Sequence, residues 1–166
     1  MRDPNFERTV ILLCQHDDRG ALGLVINRET DLPLSTVVEE MEVEGAIAPD
    51  RSVLWGGPVE PGTGFVVTRD VPMNDDGWEV GRGVVVSPSR DRLVSSLQSL
   101  SPFLLCLGYA GWGPGQLDGE IEQGAWLYTE VEPDIVFETD VSERYDRALG
   151  RLGLVSGQVW MQPVDE

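Results

Sequence analysis

The residues best suited to recognition or chemistry are concentrated between positions 108 and 126. This block, GYAGWGPGQLDGEIEQGAW, contains six glycines, two tryptophans and one tyrosine. Glycine at this density costs conformational entropy on folding, and it is favoured where the backbone adopts positive φ or closely approaches another group. We therefore expect either a ligand-binding loop or a tight structural corner, and the sequence leaves both possibilities open.

The first functional hypothesis is a binding or regulatory module whose site is the loop at 108–116. Tyr109 and Trp112 would form apolar walls, and the backbone amides of the glycines would act as donors. The end of a preceding strand would line the same site. The partner would be a small molecule or a protein. The predicted ligand-binding residues are Asn27, Arg28, Gly108, Tyr109, Gly111, Trp112, Gly113 and Gln116.

A catalytic set of the usual kind would have to use His16, because it is the only histidine in the chain. Cys14 precedes it by two residues, so in a strand the two side chains would share a face and could form a thiolate–imidazole couple. The commoner role for such a histidine is that of a strand-end residue beside an acidic turn. An enzyme with an unrecognised site near Cys14 and His16, or near Asn27 and Arg28, is the alternative hypothesis, and no catalytic residue is assigned.

The motifs predict no cofactor and no metal. The chain has no lysine, which excludes Schiff-base chemistry and the phosphate-binding lysine of a P-loop. Asp118, Glu120 and Glu122 could attract a hard divalent cation, but only the first and last share a helix face, so a solvated face is favoured. Cys14 and Cys106 lie in apolar runs and are expected to be buried thiols.

The charge balance disfavours nucleic acid as a partner. All twelve basic residues are arginines, and 29 acidic residues give a net charge of −17. A field of this sign repels nucleic-acid phosphates and anionic membranes, so a DNA-binding regulator is the least favoured function. Arg144, Arg147 and Arg151 form a basic stripe on the last predicted helix. Its commoner role is that of a solvated face that balances an acidic molecule, and it is also the one place where an anion could dock.

We expect a cytoplasmic protein without a membrane partner. The N-terminus has no apolar segment typical of a secretory signal. No apolar run approaches the roughly 20 residues that span a bilayer.

The elements that must position these residues predict one α+β domain over residues 1–166. Neighbouring strands are mostly joined as hairpins, with single helices between groups, which differs from a regular βαβ repeat. Several strands are apolar on both faces, so the sheet is expected to be curled or covered on both sides. Strands are predicted at 9–15, 21–27, 53–55, 64–68, 78–80, 83–86, 103–109 and 125–129. Helices are predicted at 34–41, 90–100, 116–123 and 142–152, the last with Ser142 as its N-cap.

Five motifs together resemble one family, the AlgH/YqgE proteins of bacteria. They are DPNFERTV at 3–10, GALGLVINR at 20–28, GGPV at 56–59, SRD at 89–91 and the long block at 108–126. The resemblance covers nearly the whole chain. It implies a mixed, mostly antiparallel sheet curled into a partial barrel and flanked by helices. Because the family has no established biochemical activity, the resemblance implies no reaction. Members are often labelled transcriptional regulators, but this chain shows no helix-turn-helix pattern.

The chain also departs from the family pattern. A strand that usually precedes the DPNF motif is expected to be missing, which would leave one sheet edge unpaired. Glu29 stands where a proline is usual. Thr68 stands where a histidine is common, which makes a histidine-dependent enzyme less expected.

Overall fold

A computed structural model of the chain describes residues 8–46, 51–69, 77–99, 101–152 and 159–162. It confirms an α+β fold in which a mixed sheet forms a nearly closed barrel flanked by helices. The described strands are β1 (Val10–Asp17), β2 (Gly20–Val25), β3 (Glu29–Pro33), β4 (Ser52–Trp55), β5 (Val59–Arg69), β6 (Trp78–Gly81), β7 (Val84–Ser87), β8 (Phe103–Trp112), β9 (Leu127–Glu130) and β10 (Val159–Gln162). The described α-helices are α1 (Leu34–Met41), α2 (Arg90–Leu97), α3 (Gln116–Glu122), α4 (Pro133–Phe137) and α5 (Arg144–Leu152).

The sheet is organised around β8. Strands follow the order β6-β7-β5-β8-β2-β1-β10-β9, and β3 and β4 form a branch that joins at β8. Along one edge β8 pairs antiparallel with β5. Along the other edge it pairs first with β4, parallel, and then with β2, antiparallel. The helices cover the faces that these strands leave apolar.

Burial on both faces of β8 follows from its apolar sequence. Leu104 and Cys106 point into one core cluster, together with residues of β1, β2 and β5. Phe103 and Leu105 point into another cluster, which α1 and α2 cover. Successive side chains of a strand face opposite sides, so a continuous apolar run must be covered on both.

Three glycines allow β8 to change partner, and we call Gly56, Gly57 and Gly108 the glycine crossing. The Gly56 amide donates to the carbonyl oxygen of Leu107 at 2.7 Å, and the Gly56 carbonyl accepts from the Val25 amide at 2.9 Å. A Cβ on Gly108, where φ is 77°, would lie 2.3 Å from the Gly57 carbonyl oxygen. One on Gly56 would lie 2.3 Å from the Gly108 carbonyl oxygen. The two backbone segments therefore pass too close to each other to leave room for a side chain at these glycines.

Several boundaries differ from the sequence predictions. β5 begins at Val59, not residue 64, and β8 continues to Trp112, because both gain pairing near the glycine crossing. β3 and β10 were not predicted, since each is a short strand that pairing alone stabilises. The predicted cap at Ser142 is wrong: Val141–Glu143 is a 3₁₀ turn, and α5 begins at Arg144.

The structure also bears on the predicted cap and end of α2, on the pairing of β1 and on membrane-spanning helices. Ser89 caps α2 by accepting from the Arg92 amide, but the helix ends at Leu97, and Leu100 lies outside the described residues. β1 pairs with β2 on one side and with β10 on the other. The first residues of the DPNF motif also lie outside the described residues. No helix among the described residues has the length and apolar character needed to cross a membrane.

The glycine crossing leads to a first prediction. Gly108→Ala should lower the free energy of unfolding by at least about 3 kcal/mol, through positive-φ strain and the clash with Gly57. Gly111→Ala is the matched control, because its Cβ would lie 3.6 Å from the Tyr109 ring, an ordinary contact. It should change stability by no more than about 1 kcal/mol. Urea unfolding of both variants measures this, and equal losses would contradict the assignment.

Candidate functional site

Four residues of the block form a hydrogen-bonded group, which we call the tryptophan corner: Trp112, Gln116, Glu120 and Trp126. The indole N–H groups of Trp112 and Trp126 both donate to Oε1 of Glu120, at 3.3 and 2.8 Å. The Gln116 side chain donates to the other carboxylate oxygen at 3.1 Å. The two indoles meet edge to face, with ring centroids 6.0 Å apart. A buried indole N–H usually has a hydrogen-bond partner, and Glu120 serves both rings.

The tryptophan corner contains residues that the sequence analysis predicts to bind a ligand, and their polar groups bond to one another. The Gly113 amide donates to the Gln116 side-chain oxygen at 2.9 Å, and Trp112 is only 8% exposed. Tyr109 packs elsewhere, edge to face on Phe65, and its hydroxyl donates to Glu60 at 3.1 Å. The tryptophan and the tyrosine therefore belong to different core clusters and do not face each other across one pocket.

The two remaining predicted site residues lie at the end of β2. Asn27 accepts from the Val10 amide and donates to the Arg8 carbonyl, both at 2.9 Å, so its side chain joins β2 to the start of β1. The Arg28 guanidinium lies 5.6 Å from the centre of the Trp55 ring. That ring packs against the cluster that contains Trp112. Arg28 is thus connected to the block through one aromatic ring.

Cys14 and His16 do not form an activated couple. A bulge in β1 between Leu13 and Gln15 breaks the alternation that would have put both on one face. The Cys14 thiol is buried and donates to the Leu12 carbonyl oxygen, whereas His16 Nε2 lies 2.9 Å from a carboxylate oxygen of Asp118. Burial raises the pKa of Cys14 far above its usual range, the opposite of what a nucleophilic thiolate needs.

The acidic residues of α3 are divided among different partners. Asp118 pairs with His16, while Glu120 is held by the tryptophan corner. Glu122 is exposed. Within the described parts of the chain, no three histidine, cysteine or carboxylate side chains converge as metal ligands would.

The predicted basic stripe does not include Arg144. Arg147 and Arg151 are both exposed, and Arg151 pairs with Asp134 at 2.6 Å. Arg144 is 3% exposed and points inward, where its guanidinium donates to the carbonyl oxygens of Thr139 and Ile26. The sequence predicted the helix, but packing determines which of its faces turns toward the core.

Arg144 lines a cavity of about 430 Å³ between β4, β8 and the segment around α4. We call this space the arginine cavity. Arg51 lines it as well, with its guanidinium 5.2 Å from the centre of the Phe103 ring. Sequence reasoning missed Arg51, because nothing in the chain indicates that it meets Arg144. The other cavity residues are Glu29, Leu34, Ser52, Leu54, Phe103, Leu104, Leu105, Phe137, Glu138, Thr139, Asp140, Val141 and Ser142.

Comparison with known proteins defines the family. Residues 1–156 match the AlgH-like family model. The chain belongs to the AlgH-like family. It is 42% identical over 164 residues to the UPF0301 protein Tgr7_2910 of Thioalkalivibrio sulfidiphilus, covering 95% of this chain and 88% of that protein. It is 41% identical over 165 residues to a UPF0301 protein of Burkholderia mallei, covering 96% of this chain and 86% of that protein.

Solved structures agree with the AlgH-like fold. The solution structure of AlgH from Pseudomonas aeruginosa superposes with a TM-score of 0.74 at 36% identity, covering 93% of this chain and 84% of that one. The crystal structure of DIP2367 from Corynebacterium diphtheriae has a TM-score of 0.70 at 24% identity, covering 90% and 81%, and supports the fold alone. These comparisons establish an AlgH-like protein and assign no activity.

The tryptophan corner yields a prediction about stability. Glu120→Ala should lower the free energy of unfolding by about 2 kcal/mol, because two buried indole N–H groups lose their acceptor. Glu122→Ala, on the exposed side of the same helix, is the control and should stay within about 0.5 kcal/mol. Urea unfolding followed by tryptophan fluorescence measures both. A Glu120 variant as stable as the Glu122 variant would show that the corner does not depend on this carboxylate.

The buried thiols yield a prediction about pH. Burial raises the pKa of Cys106 to about 12 and that of Cys14 further, so the folded protein keeps both neutral where the unfolded chain ionises them. The free energy of unfolding should therefore fall as the pH rises above about 8.5, by roughly 1.4 kcal/mol per thiol for each pH unit. Urea unfolding of the wild type and of a Cys14→Ala/Cys106→Ala variant at several pH values isolates this slope. An activated Cys14–His16 couple would lower the pKa of Cys14, so its contribution would raise the free energy of unfolding between that pKa and about 8.5 and would add no slope above it.

Proposed function

We propose that this AlgH-like chain is a binding or regulatory module whose site is the arginine cavity. One observation carries the proposal: Arg144 is almost fully buried, lines the cavity, and has no ion-pair partner among the described residues. Two backbone carbonyls use part of its donor capacity, and a guanidinium has five N–H donors. A ligand with an anionic group would complete the site.

The electrostatics of the cavity support an anionic group. The pKa of Arg144 is lowered to about 10, mainly by desolvation and also by Arg51, although Cys106, Asp140 and Glu29 act in the opposite direction. Desolvation also lowers the pKa of Arg51. Both guanidinium groups therefore lose hydration, and the surrounding protein stabilises their positive charge less well than water would. A bound carboxylate would supply the missing charge and bidentate acceptors.

The walls indicate what else the ligand carries. Leu54, Phe103 and Phe137 give the cavity an apolar side, while Glu29 and Asp140 bring negative charge near its arginines. A large polyanion would be repelled by these carboxylates and by the net charge of −17. The favoured ligand is a small molecule with one carboxylate and an apolar body.

Each of the other functional hypotheses rests on a different observation. The loop at 108–116 stays a predicted contact site, and the exposure of Gly111 supports it. An enzymatic role near Cys14 finds no activated thiol there. The charge balance continues to disfavour direct DNA recognition. A regulatory role would then act through the bound small molecule or through a protein partner.

Phenylacetate, compared with the neutral phenylacetamide, tests this proposal. Both have the same apolar body, so phenylacetate should bind at least about tenfold more tightly if the arginines recognise its charge. Titration followed by ¹⁵N NMR should shift the amides of Arg51, Phe103 and Arg144. Arg51→Gln should weaken phenylacetate binding by about tenfold.

Arg147→Gln is the matched control, because this arginine lies on the same helix as Arg144 but is exposed. It should leave phenylacetate affinity unchanged. Shifts confined to residues 108–116 would overturn the cavity as the site and favour the loop. Equal affinity for the acid and the amide, or no saturable shift, would also overturn the proposal.

A further inference from the structure

The arginine cavity contains charged side chains of both signs. Its described lining includes two arginines and three carboxylates. One carboxylate, Glu138, pairs with Arg69 at 3.7 Å, and Arg69 lines a smaller pocket of about 170 Å³ that shares Phe103 as a wall. Within the described part of the chain, two cations and two anions of the cavity then remain without an ion pair, and their charges balance. The cations are Arg51 and Arg144, and the anions are Glu29 and Asp140.

These opposite charges do not neutralise each other by direct contact. No carboxylate oxygen of Glu29 or Asp140 lies within 4.0 Å of a guanidinium nitrogen of the two arginines, although the structure describes all four residues. Desolvation lowers the pKa of Arg144, and both carboxylates act against that shift, so they lie within electrostatic range of its guanidinium. The open volume of about 430 Å³ is therefore lined by opposite charges that are near each other but not in contact.

The two arginines have donors left for a carboxylate. Nε and Nη1 of Arg144 donate to the carbonyl oxygens of Thr139 and Ile26. Among the described residues, Nη2 of Arg144 has no hydrogen-bond partner, and it is not one of the side-chain atoms that are sealed from solvent without one. The Arg51 guanidinium lies over the Phe103 ring and has no hydrogen-bond partner among the described residues either.

The two carboxylates can receive a cation. Glu29 is the first residue of β3, and Asp140 lies just before the 3₁₀ turn that leads into α5. Both residues are exposed, and neither side chain has a hydrogen bond within the described part of the chain. An ammonium group has three donors and no acceptor, so it suits two carboxylates whose oxygens are free to accept.

The charge of the whole protein also distinguishes between ligands. The net charge is −17, and a field of that sign opposes the entry of a molecule that carries only negative charge. A zwitterion has no net charge, so this field does not repel it. The balanced charges of the cavity and the acidic surface therefore both favour a ligand that carries a carboxylate and an ammonium group together.

We infer that the ligand of the arginine cavity is a free amino acid with an apolar side chain, bound as a zwitterion. Its carboxylate binds Arg51 and Arg144, its ammonium group faces Glu29 and Asp140, and its side chain packs against the apolar wall. This inference rests on the proposed function, because it assigns a second charged group to the same ligand. A simple acid leaves the two carboxylates of the cavity without a partner.

Titration of the ¹⁵N-labelled protein with L-phenylalanine and with hydrocinnamate tests the inference. The two molecules share the carboxylate and the phenyl group and differ only by the ammonium group. L-Phenylalanine should bind about tenfold more tightly, because its ammonium group pairs with the carboxylates. It should shift the amides of Glu29, Phe103 and Arg144 saturably. Phenethylamine, which lacks the carboxylate, should bind at least about tenfold more weakly than L-phenylalanine.

A double variant, Glu29→Gln with Asp140→Asn, tests the residues assigned to the ammonium group. Both positions are exposed, so the variant should fold normally. It should bind L-phenylalanine and hydrocinnamate equally well, because the amides carry no charge to pair with ammonium. Glu143→Gln is the matched control: Glu143 is exposed beside Arg144 in the chain but is not among the residues that line the cavity. It should keep the tenfold preference of the wild type.

The outcomes separate this inference from the proposed function. Saturable binding of hydrocinnamate in the cavity, with equal or weaker binding of L-phenylalanine, would overturn the inference and leave the cavity as a site for simple acids. Absence of saturable shifts with both molecules would overturn the inference and the proposed function together. A tenfold preference that persists in the double variant would contradict the roles of Glu29 and Asp140 and so overturn the inference alone.

Discussion

The close approach of two backbones at the glycine crossing is the constraint on which the rest of the fold depends. β8 must hold β5 along one edge while exchanging β4 for β2 along the other. That exchange places the backbone of Gly56 and Gly57 directly against Gly108 and Tyr109, with no room for a Cβ. Every cluster described above, and both pockets, takes its position from the strands that meet there. Part of the glycine-rich block is therefore required by geometry.

The remainder of the block serves packing in a different way. A single carboxylate accepts hydrogen bonds from the indole N–H groups of its two buried tryptophans, and the Gln116 side chain binds both that carboxylate and the Gly113 amide. These bonds use donors and rings that a ligand would otherwise contact. What looked like one functional loop is thus divided into a crossing and a corner, with the exposed backbone of Gly111 between them.

Two pockets among the described residues are lined by arginines in a strongly acidic protein. Arg51 and Arg144 share the larger space with apolar walls and carboxylates, and Arg69 and Arg92 share the smaller one with hydroxyl groups. The two spaces differ in size and in the residues that line them. Phe103 stands between them, and its position at the start of β8 connects both to the central strand.

The sequence by itself determined the fold class, the family, most strand and helix positions, and the burial of both cysteines, because these depend on local periodicity and on a long motif. It also indicated that the glycine-rich block could be a corner. Only the tertiary structure decided that a bulge separates Cys14 from His16, that Arg144 turns inward, and that Arg51 joins it across the fold. Such placements depend on strand pairing and helix rotation between distant segments, which no local pattern records.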